Sequence, residues 1–169
     1  MSVMAIWTIG CLLRDIKSLE RQQMEITKQL SDYQKYSSAL GSNPFLTMSN
    51  IAGLSSELIP RASLFSMYSN QASSMSAMQN MQMMKMQGLI PWTGNPMYQY
   101  QMEMSAFMKF KQESAKALAQ QEMQVMHEKE TELELQAKSI EQQLKNKRAR
   151  LEAVEQLQEK DSQNVPKLA

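Results

Sequence analysis

The chain has 169 residues, 43% hydrophobic and 21% charged, a length suited to one domain rather than two. Eighteen basic and seventeen acidic side chains leave a formal charge of +1, which excludes the strongly basic balance of a nucleic-acid-binding domain. A single cysteine and a single histidine exclude an intramolecular disulfide and a zinc centre of Cys and His ligands built within the chain.

The N-terminal stretch from Val3 to Leu13 carries no charge and includes Trp7. It is too short to span a bilayer, which takes about 20 apolar residues. No Lys or Arg precedes it and no small-residue cleavage site follows, so it is a poor secretory signal. The expected location is the cytoplasm, or outside by a leaderless route. Ile6 and Leu13 widen the apolar stripe at this end, so residues 3–13 should enter a multi-helix core or touch a membrane surface.

From there Ile9, Leu12, Ile16, Leu19, Gln23, Ile26, Leu30, Tyr33, Ser37 and Leu40 alternate steps of three and four, the a/d seam of a heptad repeat. A helix over residues 3–40 is expected, closed by Gly41 in a left-handed conformation and kept from resuming by Pro44. Gln23 is a polar interruption of a kind that can set register.

Residues 41–96 form a different zone, rich in Met, Ser, Asn and Gln, with Glu57, Arg61 and Lys85 as its only charges. Ile51, Leu54 and Leu58 suggest a short helix ending at Pro60. Leu64, Met67, Met75, Met78 and Met81 mark another over 63–87, with Gly88 as terminator. Leu89, Ile90, Pro91 and Trp92 read as an apolar plug anchoring the connection to the last helix.

That helix is expected over 97–165, with Asn95 as its cap and Pro96 at its first position, since no Gly or Pro occurs between Met97 and Val165. Met104, Phe107, Met108, Phe110 and Leu118 form a broad apolar surface early in it. Its seam then reads Ala119, Met123, Met126, Glu130, Leu133, Ala137, Ile140, Leu144, Lys147, Leu151 and Val154. The fold class is therefore all-α, a long helical hairpin or coiled coil with a short Met-rich helical middle segment.

At ~1.5 Å per residue the first helix reaches roughly 57 Å and the last roughly 100 Å, so part of the last helix lacks a partner in a simple hairpin. A homo-oligomer is expected on that ground, packed through Ile9, Leu12, Ile16, Leu19, Ile26 and Leu30 from one arm and Leu133, Ile140, Leu144, Leu151 and Val154 from the other. Alternating charge blocks along residues 109–161 could set the stagger between helices. The layout of two terminal helices around a different middle resembles flagellin-like and type III secretion filament subunits, which implies a self-assembling structural protein.

Chemistry is sparsely supported. Cys11 sits among Trp7, Ile9, Leu12 and Leu13 and reads as an unactivated, buried thiol. His127 flanks the seam beside an acidic run from Glu128 to Glu134 that lacks an EF-hand pattern. Lys145, Lys147, Arg148 and Arg150 form a basic run closed off at once by Glu152 and Glu155. No catalytic residue and no bound cofactor are expected, and the protein is not read as an enzyme.

The Met cluster keeps two alternatives open. Met75, Met78, Met81 and Met84 could line a flexible groove for an apolar helix of a client protein, because unbranched thioethers repack at little cost. In composition this resembles the Met-rich domain of the signal recognition particle, without the motifs of its RNA-binding helices. The MxM and MxxM spacings through Met83 and Met86 also suit Cu(I), which favours few soft donors.

Overall fold

The computed structural model describes residues 3–163, which form four helices and no strand. In chain order these are α1 (Val3–Ser42), α2 (Met48–Ala52), α3 (Leu58–Met86) and α4 (Pro96–Gln163). The fold is all-α, with long helices packed against each other.

At two prolines or glycines expected to end a helix the structure differs, each time for a local reason. Gly41 does not close α1; it is helical, and the helix ends only when Asn43 N–H makes its last bond to the Ala39 carbonyl at 3.1 Å. Asn43 Oδ1 then accepts from Phe45 N–H at 2.9 Å, an Asx turn that carries the chain past Pro44. Pro60 ends nothing. It lies in the first turn of α3, where a missing N–H costs no helical bond.

At the other end of α3, Gly88 takes φ of 70°, Gly88 N–H bonds the Lys85 carbonyl and Leu89 N–H bonds the Met84 carbonyl, which together make a Schellman stop. Leu89 and Trp92 point outward rather than plugging the connection, at 61% and 73% exposed. The connection is tied by Gln99 instead. Its buried Oε1 accepts from Thr93 N–H at 3.3 Å while its Nε2 donates to Glu103 at 2.8 Å. Asn95 Oδ1 accepts from Met97 N–H and Tyr98 N–H at 3.0 and 3.4 Å, capping α4 ahead of Pro96.

The chain divides into two compact units, and α1 and α4 contribute to both. The first combines the part of α1 up to Ser31 with α4 from Thr131. These two stretches run antiparallel, with Ile16, Ile26, Leu133, Ile140 and Leu144 buried and Ile9, Leu12, Leu19, Gln23, Leu30, Leu151 and Val154 half-buried. Ion pairs flank the seam, Lys147 to Asp15 at 2.6 Å and Arg148 to Glu20 at 2.7 Å. Lys147, a polar residue in an apolar register, is thereby neutralised at the seam's edge.

The second unit is Asp32–Glu130. Its core joins Tyr36 and Leu40 of α1, Leu46, Ile51 and Leu54 of the connection and α2, Leu58 and Ala62 of α3, and Ala119 and Met126 of α4. Here α3 lies antiparallel to the N-terminal half of α4, clamped by Arg61 to Glu122 and Lys85 to Glu103, both at 2.6 Å. The stretch of α4 expected to lack an intrachain partner therefore has one, because the middle zone supplies a helix of ~44 Å rather than short pieces.

Candidate interaction surface

Helix α3 is packed the opposite way round from its hydrophobicity. Its buried positions are Leu58, Ala62, Ser69, Ser73 and Ala77, nearly all small. Such residues let two helix backbones approach closely. Leu64, Met67, Tyr68, Met75, Met78 and Met86 lie on the opposite face, each more than half exposed. Of the residues that periodicity groups, Leu64, Met67, Met75 and Met78 share the side of α3 that faces away from the chain's own core, while Met81 is half-buried.

The inner stripe is mostly self-satisfied. Ser73 donates to the Asn70 carbonyl at 3.2 Å, and Ser66 donates to the Leu46 carbonyl at 3.2 Å, fastening α3 to the connection before α2. Ser69 Oγ is buried without a partner. A buried hydroxyl without a bond costs roughly 1–3 kcal/mol, and alanine is also the better helix former. Ser69→Ala is therefore expected to raise the urea midpoint by the equivalent of about 1 kcal/mol; a fall would show that the hydroxyl is bonded in solution.

The first turns of α4 continue the pattern. Met97, Tyr98, Tyr100, Met104 and Met108 are exposed, while Gln99 is buried and Met102, Phe107 and Phe110 are half-buried. Exposed Lys109 and half-buried Lys111 bound this apolar stretch, and the Lys111 ammonium sits 5.5 Å over the Phe45 ring, a cation–π contact.

One polar cluster lies behind this surface. The Glu122 carboxylate accepts from Arg61 Nε at 2.6 Å, from Arg61 Nη2 at 3.1 Å and from the Tyr36 hydroxyl at 3.3 Å. Tyr36 is completely buried, and that burial, followed by the neighbouring Glu122 charge, holds its hydroxyl well above the ordinary tyrosine range. The same carboxylate raises the Arg61 guanidinium further. This triad joins α1, α3 and α4 through three hydrogen bonds to one carboxylate, an arrangement that fastens helices rather than one that moves a proton. The α1 seam expected at Tyr33 and Ser37 misses Tyr36, because the buried face of α1 turns where α2 and α3 begin to cover it.

Comparison with protein-family models, with curated proteins and with solved structures finds no match to this chain.

Of the Met residues expected to line a groove, Met75 and Met78 are exposed and Met81 and Met84 half-buried, all on α3. The helical conformation weakens the copper geometry at the MxM pairs, since Met81 and Met83, and Met84 and Met86, do not face each other two residues apart on a helix. Among the described residues no group of three His, Cys, Asp or Glu side chains could hold a metal ion. Cys11 is half-buried rather than buried.

Of the oligomer-packing residues expected from the two seams, Ile16, Ile26, Leu133, Ile140 and Leu144 are buried within the single chain, and Ile9, Leu12, Leu19, Leu30, Leu151 and Val154 are half-buried. His127 is exposed with Nδ1 2.9 Å from Glu130, which fits a flanking polar position. Lys147 and Arg148 of the basic run are paired with α1 carboxylates, so the run is not an open phosphate-binding row. At the N-terminal end Ile6, Trp7 and Leu13 are exposed, and among the described residues no helix is long and apolar enough to cross a membrane.

Proposed function

We propose that this is a non-enzymatic, self-assembling structural protein whose copies associate through the outward apolar surface of α3 and the first turns of α4. The observation that supports this reading is the inversion of α3, with small residues packed inward and Leu64, Met67, Tyr68, Met75, Met78 and Met86 presented outward. Single chains rarely expose contiguous apolar patches beyond a few hundred Å², and larger ones mark interaction sites. The a/d seams, expected to carry assembly, are used to hold the chain together. The association surface shifts accordingly to the middle segment.

Two apolar stripes on one unit, along α3 and along Met97, Tyr100, Met104 and Met108 of α4, would let one copy touch two others. Two different contacts per copy are what an open filament requires, whereas one two-fold contact closes at a dimer.

The test is molar mass by light scattering over a concentration series, with the same fractions viewed by negative-stain microscopy. A mass rising above 19.4 kDa towards a defined multimer or filament is the expected result. A monomer at every concentration would overturn assembly. It would leave the second reading, in which the exposed thioethers of Met75, Met78, Met83 and Met86 receive an apolar helix of a client. Because Ser73 and Ala77 pack α3 in place, that reading is tested by surface changes at Met75 and Met78 rather than by deleting the segment.

A further inference from the structure

The outward face of α3 is itself a heptad seam. Leu64, Tyr68, Gln71, Met75, Met78, Gln82 and Lys85 follow steps of four and three, and all seven are exposed. The four central positions of this seam, Gln71, Met75, Met78 and Gln82, are symmetric in residue type. Reflection between Ser76 and Ala77 exchanges Met75 with Met78, Gln71 with Gln82, and Tyr68 with Lys85.

We infer that this seam pairs with the same seam of a second copy, antiparallel about a two-fold axis beside Ser76 and Ala77, so that Met75 meets Met78 and Gln71 meets Gln82. The inference rests on the self-assembly reading and names its partner and register. An isologous contact requires a self-complementary patch, and this one places thioether on thioether and amide on amide in its four central layers. The two Gln–Gln layers supply the polar bonds that a purely apolar seam would lack, and they penalise a shift by one layer, which would set Gln against Met.

Direction follows from charge. A parallel pair would align two helix dipoles, which an antiparallel pair sets against each other. The antiparallel pair sets Lys85, already neutralised by Glu103 at 2.6 Å, level with a Tyr68 ring whose face attracts cations.

The area is sufficient. Leu64, Met67, Tyr68, Met75, Met78 and Met86 are 54–88% exposed. At roughly 150–200 Å² per large side chain they present on the order of 600 Å² of apolar surface per copy. Two copies therefore clear the total of about 1,000 Å² expected of a specific interface.

The test uses the full chain with Cys11→Ser and one new cysteine per variant, Gln71→Cys or Gln82→Cys, both at exposed positions outside the core. Differently tagged variants are mixed and oxidised in air, and molar mass is measured in parallel. The expected result is a disulfide between the Gln71→Cys chain and the Gln82→Cys chain, with little linkage of either to itself. In the antiparallel register like positions lie about 16 Å apart along the axis, and a disulfide needs Cα atoms within about 7 Å.

Self-linked Gln71→Cys chains would show a parallel pair and overturn the inference. A mass above 19.4 kDa with neither linkage would also overturn it while leaving self-assembly in place. A chain of 19.4 kDa throughout would overturn both. As an independent check, Met75→Lys with Met78→Lys puts four ammonium groups into the central layers. It is expected to weaken association by about 100-fold or more, with the helical circular dichroism unchanged. Undiminished association would place the contact elsewhere.

Discussion

Ser73→Leu is expected to destabilise the protein strongly, while Leu64→Ala on the same helix costs almost nothing in the isolated chain. Ser73 has no exposed surface, whereas Leu64 is 68% exposed. Leucine is the better helix former by a few tenths of a kcal/mol, which would favour the first substitution if α3 stood alone. Packing opposes it. A branched four-carbon side chain in a stripe of Ala and Ser must push α3 off its neighbours, and overpacking of this kind costs about 1–3 kcal/mol. The upper part of that range is expected here because Ser69 and Ala77, one turn to either side, are also buried and leave no slack. Urea denaturation followed by circular dichroism reads both variants. A neutral Ser73→Leu alongside a costly Leu64→Ala would mean that α3 packs through its large residues after all.

The second large effect is expected at Tyr36. Among the described residues its side chain is the largest that is completely buried, and it closes the core formed by Leu40, Leu46, Leu58 and Met126. Tyr36→Ala leaves a cavity worth about 3–5 kcal/mol, a large fraction of the stability of a chain this size. Tyr36→Phe isolates the hydroxyl. At 3.3 Å its bond to Glu122 is long, and Arg61 still supplies two donors to that carboxylate, so the loss should be about 1 kcal/mol.

The two variants also differ from the native chain in alkali. Burial raises the Tyr36 hydroxyl in the folded state, so the neutral form is retained there while the unfolded chain ionises near pH 10. Its contribution is fully present below about pH 10 and is lost as pH rises above that value. The native chain should therefore lose stability more steeply than Tyr36→Phe between pH 10 and 12. Parallel curves would show that the hydroxyl is solvated.

The two long helices were legible because heptad spacing is a strong signal over many turns. Every α4 seam position from Ala119 to Val154 is buried or half-buried, including Glu130 and Lys147. The cap at Asn95 and the stop at Gly88 were legible too, since each depends on the local chemistry of one side chain or one φ angle. Tyr36 and Gln99 were not. Their burial depends on helices brought to them from elsewhere in the chain, and neither residue belongs to an apolar repeat.

The middle segment separates the two kinds of information. Its sequence determined that residues from Leu64 to Met86 are helical and that Leu64, Met75 and Met78 share a face, because both follow from the helical period. It could not determine which face would be buried. An Ala and Ser stripe carries little hydrophobic signal, yet small side chains permit the closer approach of α3 to α4 and therefore take the inner side. Only the tertiary structure decided that α3 pairs with the part of α4 that a two-helix hairpin leaves bare. That choice follows from the ion pairs Arg61–Glu122 and Lys85–Glu103 and from close packing at Ala62 and Ala119, and it leaves the large thioethers facing outward.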